Sequence, residues 1–174
     1  VAWMAAYCLS VVGGPVAVIP LARALHHDDP AVVSAAEDGL WRVWFDEAGK
    51  GIRNRLQRAS ESLDEDQLAA AIAILDDIIA RNPDFAEAYN QRGIVRYLLD
   101  DAVGTIADCK RAIRLNACHF GAYASMGHAC VHLGDYDEAL VCYRAALDIH
   151  PRMEGIRQSI RKIRSLRLPI IPAV

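Results

Sequence analysis

The stretch Phe120–Met153, FGAYASMGHACVHLGDYDEALVCYRAALDIHPRM, decides how the chain is read, because it is a copy of what precedes it. Ala86–His119, AEAYNQRGIVRYLLDDAVGTIADCKRAIRLNACH, aligns with it at a period of 34 residues. Tyr89 falls on Tyr123, Gly93 on Gly127, Leu99 on Leu133, Ala112 on Ala146 and Leu115 on Ile149. A fixed period of roughly 20–50 residues marks an array in which each unit buries its apolar face against the next. Within the later copy, Tyr123, Met126, Cys130 and Leu133 recur at helical spacing. Gly134-Asp135 then interrupts, and Ala139, Tyr143, Ala146 and Leu147 resume it, so each unit reads as a helical hairpin. Asp135 and Glu138 have capping-box spacing for the second helix, as do Asp64 and Gln67 in an earlier unit. Gly127 and Ala139 are small where the two helices of a hairpin would cross closely.

Tyr123, Gly127, Ala139, Tyr143, Ala146 and Pro151 together resemble the tetratricopeptide repeat, a helical hairpin of 34 positions. Ala86–His119 is a looser copy, with Thr105 at a small position and Ala117 in place of the closing proline. Residues 52–85 keep the second helix, with Ala71, Leu75 and Pro83, while their first helix is degenerate. The resemblance implies three units over 52–153, the first one degenerate, followed by a capping helix at 154–167 and a tail at 168–174.

Upstream, Ala5-Ala6-Tyr7-Cys8-Leu9, Gly14, Val18-Ile19-Pro20-Leu21, Ala24-Leu25, Asp28-Asp29-Pro30-Ala31-Val32, Ala35-Ala36 and Leu40-Trp41 form another pattern. It is similar to the short bacterial HEAT-like repeat: a helix, a Gly turn, a helix with an early proline, and an Asp-Pro-x-Val entry to the next helix. Pro20 fits a first turn, where the missing N–H has no helical partner. Residues 1–51 are therefore expected to be HEAT-like helical repeats, the end of a longer array of which this chain is a piece. The expected fold is all-α: a right-handed α-solenoid of helical hairpins, HEAT-like units followed by tetratricopeptide units, closed by a C-terminal capping helix.

Composition agrees with helices packed into a continuous core. Residues of the apolar class make up 53% of the chain, and its glycines and prolines fall between apolar stretches rather than within them. The formal charge of -3 offers no long-range field for nucleic acid or anionic membrane, and neither is expected as a partner. Five cysteines, an odd number without paired spacing, argue against a disulfide framework and for a reducing compartment, so a cytoplasmic location is expected. The uncharged run Val1–Ala22 is cut by Gly13-Gly14-Pro15 into two segments too short for a bilayer of about 30 Å, and reads as a buried helix pair.

A solenoid of hairpins leaves one concave surface lined by the first helix of each unit, the usual seat of a protein or peptide segment. The residues expected there are Asn90, Gln91, Ile94 and Tyr97, then Ala124, His128 and Val131. The competing reading is that Ile94, Tyr97 and Val131 only pack against neighbouring helices. One subgroup of tetratricopeptide proteins clamps acidic chaperone tails with Lys, Asn and Arg along this face. The matching positions here hold Leu56, Ser60, Gln91, Gly121 and Ser125, so no chaperone-tail clamp is expected, two buried carboxylates needing charge-assisted donors.

No phosphate loop, H-E-x-x-H, G-x-S-x-G or C-x-x-C occurs, the carboxylate pairs Asp76-Asp77 and Asp100-Asp101 read as solvated or capping residues, and neither enzymatic activity nor a cofactor is expected. One cluster has metal-ligand chemistry: His128 and His132 stand four apart on one helix face, and Cys118 and His119 lie in the turn before it, with Cys130 between. A metal-binding or metal-sensing module is thus the alternative to a scaffold. Against it, Cys130 stands at a core position and a surface His needs no special purpose. The last basic stretch, Arg152–Arg167, carries a net +5 and leaves -8 for the rest. Ile156, Ile160 and Ile163 form a helical stripe there, which reads as a terminal helix covering the last hairpin rather than as an RNA-binding arm, since no stacking aromatics lie among the arginines.

Overall fold

The computed structural model describes residues 2–47, 49–60 and 65–167. Among the described residues there are ten α-helices, one short 3-10 turn and no strand. The helices are α1 (Ala2–Val12), α2 (Val18–Ala24), α3 (Pro30–Asp46), α4 (Lys50–Ser60), α5 (Glu65–Arg81), α6 (Ala86–Leu98), α7 (Ala102–Leu115), α8 (Phe120–His132), α9 (Tyr136–Ile149) and α10 (Glu154–Arg167). From α4 onward each helix packs on its neighbour in sequence, which is the hairpin array that the period predicts.

The turns explain why the hairpins close where they do. After α8, Gly134 adopts φ +77° and its N–H donates to the Val131 carbonyl, while the Asp135 N–H reaches back to Cys130. This left-handed stop satisfies the last carbonyls of α8. Asp135 then caps α9 by accepting from the Glu138 N–H, and Asp101 does the same for α7 through Gly104. The turn between α6 and α7 differs in one residue: Asp100, at φ 66°, holds the left-handed position that glycine holds in the next unit. The Asp64–Gln67 spacing involves residue 64, outside the described residues.

Packing follows the small residues. A Cβ placed on Gly127 would lie 2.5 Å from the Tyr143 ring, so that ring lies directly on the α8 backbone. Tyr143, Ala139, Cys130 and Cys142 form one core with Ile156, Ile160 and Ile163 of α10. A second core joins Leu56, Leu68, Leu75 and Ile78 of α4 and α5 to Phe85, Ala88 and Val95. A polar tie binds the central helices: the Arg92 guanidinium donates two parallel bonds to Asp108 (2.8 and 2.6 Å) and a third to Asp76 (2.6 Å).

The N-terminal helices pack both on one another and on the array. Asp29 caps α3 through the Ala31 N–H, and Pro30 occupies its first position, as the sequence predicts. However, α3 runs back across the array. Its Glu37 meets His150 at 3.2 Å, Trp41 lies over Gly121 and Phe120, and Trp44 stacks on His119, while Asp46 pairs with Arg53 of α4. Arg152 fastens the approach to α3 by donating to the His27 and Asp28 carbonyls (3.0 and 2.8 Å). Among the described residues no helix is long and apolar enough to cross a membrane.

Candidate functional site

The first helices α6 and α8 present one face of the array, and the seven residues expected on it separate into two groups. Asn90 and Gln91 are buried, and both turn toward a carboxylate that the sequence reading missed. Glu87 is fully buried in the first turn of α6, accepting from Gln91 Nε2 (2.6 Å), more loosely from Asn90 Nδ2 (3.4 Å), and meeting His119 Nε2 at 2.8 Å. His119 is itself the N-cap of α8, its Nδ1 accepting the Ala122 N–H at 3.1 Å. Because Nδ1 accepts an amide hydrogen, the ring proton sits on Nε2, where it donates to Glu87. The only trace of this pair in the sequence is positional: the residue that closes one unit stands beside the first turn of that unit's opening helix, and both happen to be ionisable.

Above this network lies an aromatic lid from α3. The Trp44 ring stacks on His119 with centroids 4.4 Å apart, and Trp41 meets His119 and Phe120 edge-on at 6.0 and 5.3 Å. Such pairs contribute about 0.5–1.5 kcal/mol each beyond their area. Glu47, just past α3, has a carboxyl pushed above its ordinary range by partial desolvation. Among the described residues, the buried side-chain polar atoms without a hydrogen-bond partner are Trp44 Nε1, Asn90 Oδ1 and His150 Nδ1. Each such atom costs about 1–3 kcal/mol.

The second group stays open. Ile94 is 36% and Tyr97 40% exposed, with Leu98 also exposed, and Val131 is half-buried on the adjoining helix. Tyr97 sets its edge against the His132 ring (6.1 Å). His128 shares a 2.7 Å hydrogen bond with the Tyr143 hydroxyl, and partial burial pushes its pKa below the ordinary imidazole value. Beside His128 and the buried Ala124, a cleft of about 600 Å³ opens between α8, the start of α3 and the start of α10, with Val33, Glu37, His150 and Met153 in its wall.

The residues of the metal alternative are held apart. Among the described residues no three His, Cys, Asp or Glu side chains converge to hold an ion. His119 spends both nitrogens on Glu87 and Ala122, His128 bonds Tyr143, and His132 pairs with Asp100 at 3.1 Å. Cys118 is half-buried with its thiol pKa raised by burial, and Cys130 is buried in the core. The shared helix face of His128 and His132 is therefore not joined by Cys118 or His119.

Residues 121–153 match the family model of the tetratricopeptide repeat. A TPR repeat-containing protein of Rhizobium etli is 27% identical over 135 residues, which cover 78% of this chain and 66% of that protein. A TPR repeat-containing protein of Methanocaldococcus jannaschii is 32% identical over 97 residues, covering 56% of this chain and 30% of that one. The chain thus spans less than two thirds of these curated relatives. Among solved structures, the first TPR of Spaghetti (RPAP3) bound to the HSP90 peptide SRMEEVD superposes with a TM-score of 0.62 at 20% identity, covering 66% of this chain and 91% of that one. At that identity the likeness establishes the fold alone. Residues 121–153 thus match one tetratricopeptide repeat, and the chain shares the all-helical solenoid fold of these structures.

Proposed function

We propose that the chain is a protein-interaction scaffold that holds a segment of a partner protein on the open part of its concave face, with no catalytic role of its own. The observation that carries this reading is the exposed apolar edge of α6, Ile94, Tyr97 and Leu98, which continues past Val131 and His128 to the cleft beside Ala124. Apolar side chains left outside a core that is otherwise filled mark a contact surface. An aromatic anchor such as Tyr97 costs 1 kcal/mol or more to truncate at an interface, by rough precedent. Structural relatives bound to peptides support the reading by analogy of fold.

An acidic chaperone tail is not the segment favoured here. Leu56 is fully buried, Gln91 donates to Glu87 and Gly121 lies beneath Trp41, so no cation stands at these positions to receive a carboxylate. A photo-crosslinking amino acid at Tyr97, and separately at Val141 on the outer helix α9, tests the reading in native extract. A discrete adduct from position 97 that is absent from 141 is the expected outcome. Adducts confined to 141 would move recognition to the outer helices.

A further inference from the structure

We propose that residues 168–174, LPIIPAV, are the chain's own ligand for the open end of the concave face, reaching from the end of α10 across α8 to Tyr97. The proposal rests on reading that face as the partner site, and it makes these residues a built-in competitor of the partner segment. They lie outside the described residues, and three features of the surface beside residue 167 match their chemistry.

The first is position. At the period of 34 residues, Leu98, His132 and Leu166 hold equivalent places in the last turns of α6, α8 and α10. The contacts agree: Tyr97 sets its edge against His132, and Ile163 shares a core with Cys130, with Val131 packed on it. Helix α3 lies over the opposite end of the array face, with Trp44 on His119, Trp41 over Gly121 and Glu37 at His150. Residue 168 therefore follows on from the uncovered end, beside the exposed side chains of Leu166, Leu98, Tyr97 and Ile94.

The second is reach. Packed helices lie about 8–10 Å apart, so the path from α10 over α8 to α6 is about 16–20 Å. Seven residues in the extended form that proline favours span about 22 Å, enough to meet Tyr97 and too little to pass far beyond α6. Pro169 and Pro172 supply the fixed φ of that form, and a residue before proline, as Leu168 is, favours it too. The third is charge. On α6 and α8 the ionic groups at this end are spent on one another, Asp100 on His132 and Arg96 on Asp108, which leaves an aliphatic and aromatic surface. Residues 168–174 carry no charge, and Leu168, Ile170, Ile171 and Val174 are large and aliphatic. Proline-containing extended segments are recognised on aromatic-lined surfaces, and Tyr97 with His132 makes one.

The test places benzoylphenylalanine, a photo-crosslinker, at position 98 of the purified full chain, with Tyr97 intact, and maps the product by mass spectrometry. A cross-link to residues 168–174 of the same molecule is expected, its intrachain origin shown by mixing isotopically light and heavy chains. Ile170→Asp/Ile171→Asp, which leaves every described helix untouched, should lower the yield at least about fivefold, and Tyr97→Ala should lower it as well. No cross-link to 168–174, a cross-link only between two chains, or an equal yield from the aspartate variant overturns the proposal. A chain ending at Arg167 keeps every described helix, and in native extract its adducts from position 97 should rise about threefold over the parent's, because the competing segment acts at high local concentration. Partner adducts without the intrachain cross-link refute the resident segment alone. The intrachain cross-link with no partner adduct from either chain refutes the partner reading alone.

Discussion

The array from α4 to α10 and the layer from α1 to α3 are both helical and both well packed, yet they are specified differently. In the array the main contacts are between helices adjacent or next but one in sequence, and their devices recur with the repeat: Cys109 against Gly93 as Tyr143 is against Gly127, and an aspartate capping both α7 and α9. In the N-terminal layer the decisive contacts bridge residues 37–44 to 119–150 and occur once. A period records nearest-neighbour packing because every copy must solve the same problem. A single docking event leaves no period.

The largest effect should come from the layer. Trp44→Ala removes a ring buried among His119, Phe120 and Trp41, a change that costs about 3–5 kcal/mol at a well-packed site. Its cost should fall on α3: amide exchange in residues 30–46 should accelerate while protection in α8 and α9 holds. Equal loss in both regions would show that the layer and the array unfold as one unit.

Gly127→Leu is the corresponding attack on the array. With the Tyr143 ring 2.5 Å from where the new Cβ must sit, the ring or the helix has to move, and overpacking of this kind costs about 1–3 kcal/mol. Thermal melting should drop accordingly. A variant that melts like the parent would break the repeat register on which the array is read.

A smaller effect separates the two regions by pH. His128 belongs to the array, and burial lowers its pKa from 6.5, so the unfolded chain takes up that proton first. Its contribution to stability is full above about pH 6.5 and is lost as pH falls through the lower folded value. His128→Gln should therefore flatten the acid side of the stability curve in urea titrations at pH 5 to 7. An unchanged slope would mean that the ring is not desolvated against Tyr143.

The smallest effect compares the two hairpin turns. Asp100 holds φ 66° where the next unit has Gly134, and its partner His132 is an exposed ion pair of little worth. Asp100→Gly should stabilise the chain by about 0.5–1 kcal/mol, the left-handed penalty less glycine's entropy. No gain in denaturant midpoint would show that aspartate already suits that turn.

Much of the array was legible in advance, for a physical reason. Gly127, Ala139 and the Asp135 cap each act locally, through one helix crossing or one turn, and residue type alone reports that. Helical spacing places Asn90, Gln91, Ile94 and Tyr97 on α6, but it cannot say which of them another side chain or element covers. Asn90 and Gln91 looked like free amides and are held to Glu87 instead, while Ile94 and Tyr97 remain open. His119 was considered only as a metal ligand, because its partner Glu87 lies a full hairpin away and no spacing rule joins them. At the N-terminus, the Asp29 cap and Pro30 at the first position of α3 are local features that residue type reports, whereas the path of α3 over residues 119–150 is not.

Nuclear Overhauser contacts of the Trp44 indole in the full chain report the path of α3 over the array. Cross-peaks from the Trp44 ring to His119 and Phe120 are expected, given centroid separations of 4.4 and 5.3 Å. A Trp44 ring with cross-peaks only to α4 and α5, and none to His119 or Phe120, would place α3 at the end of a sequential stack and contradict the account.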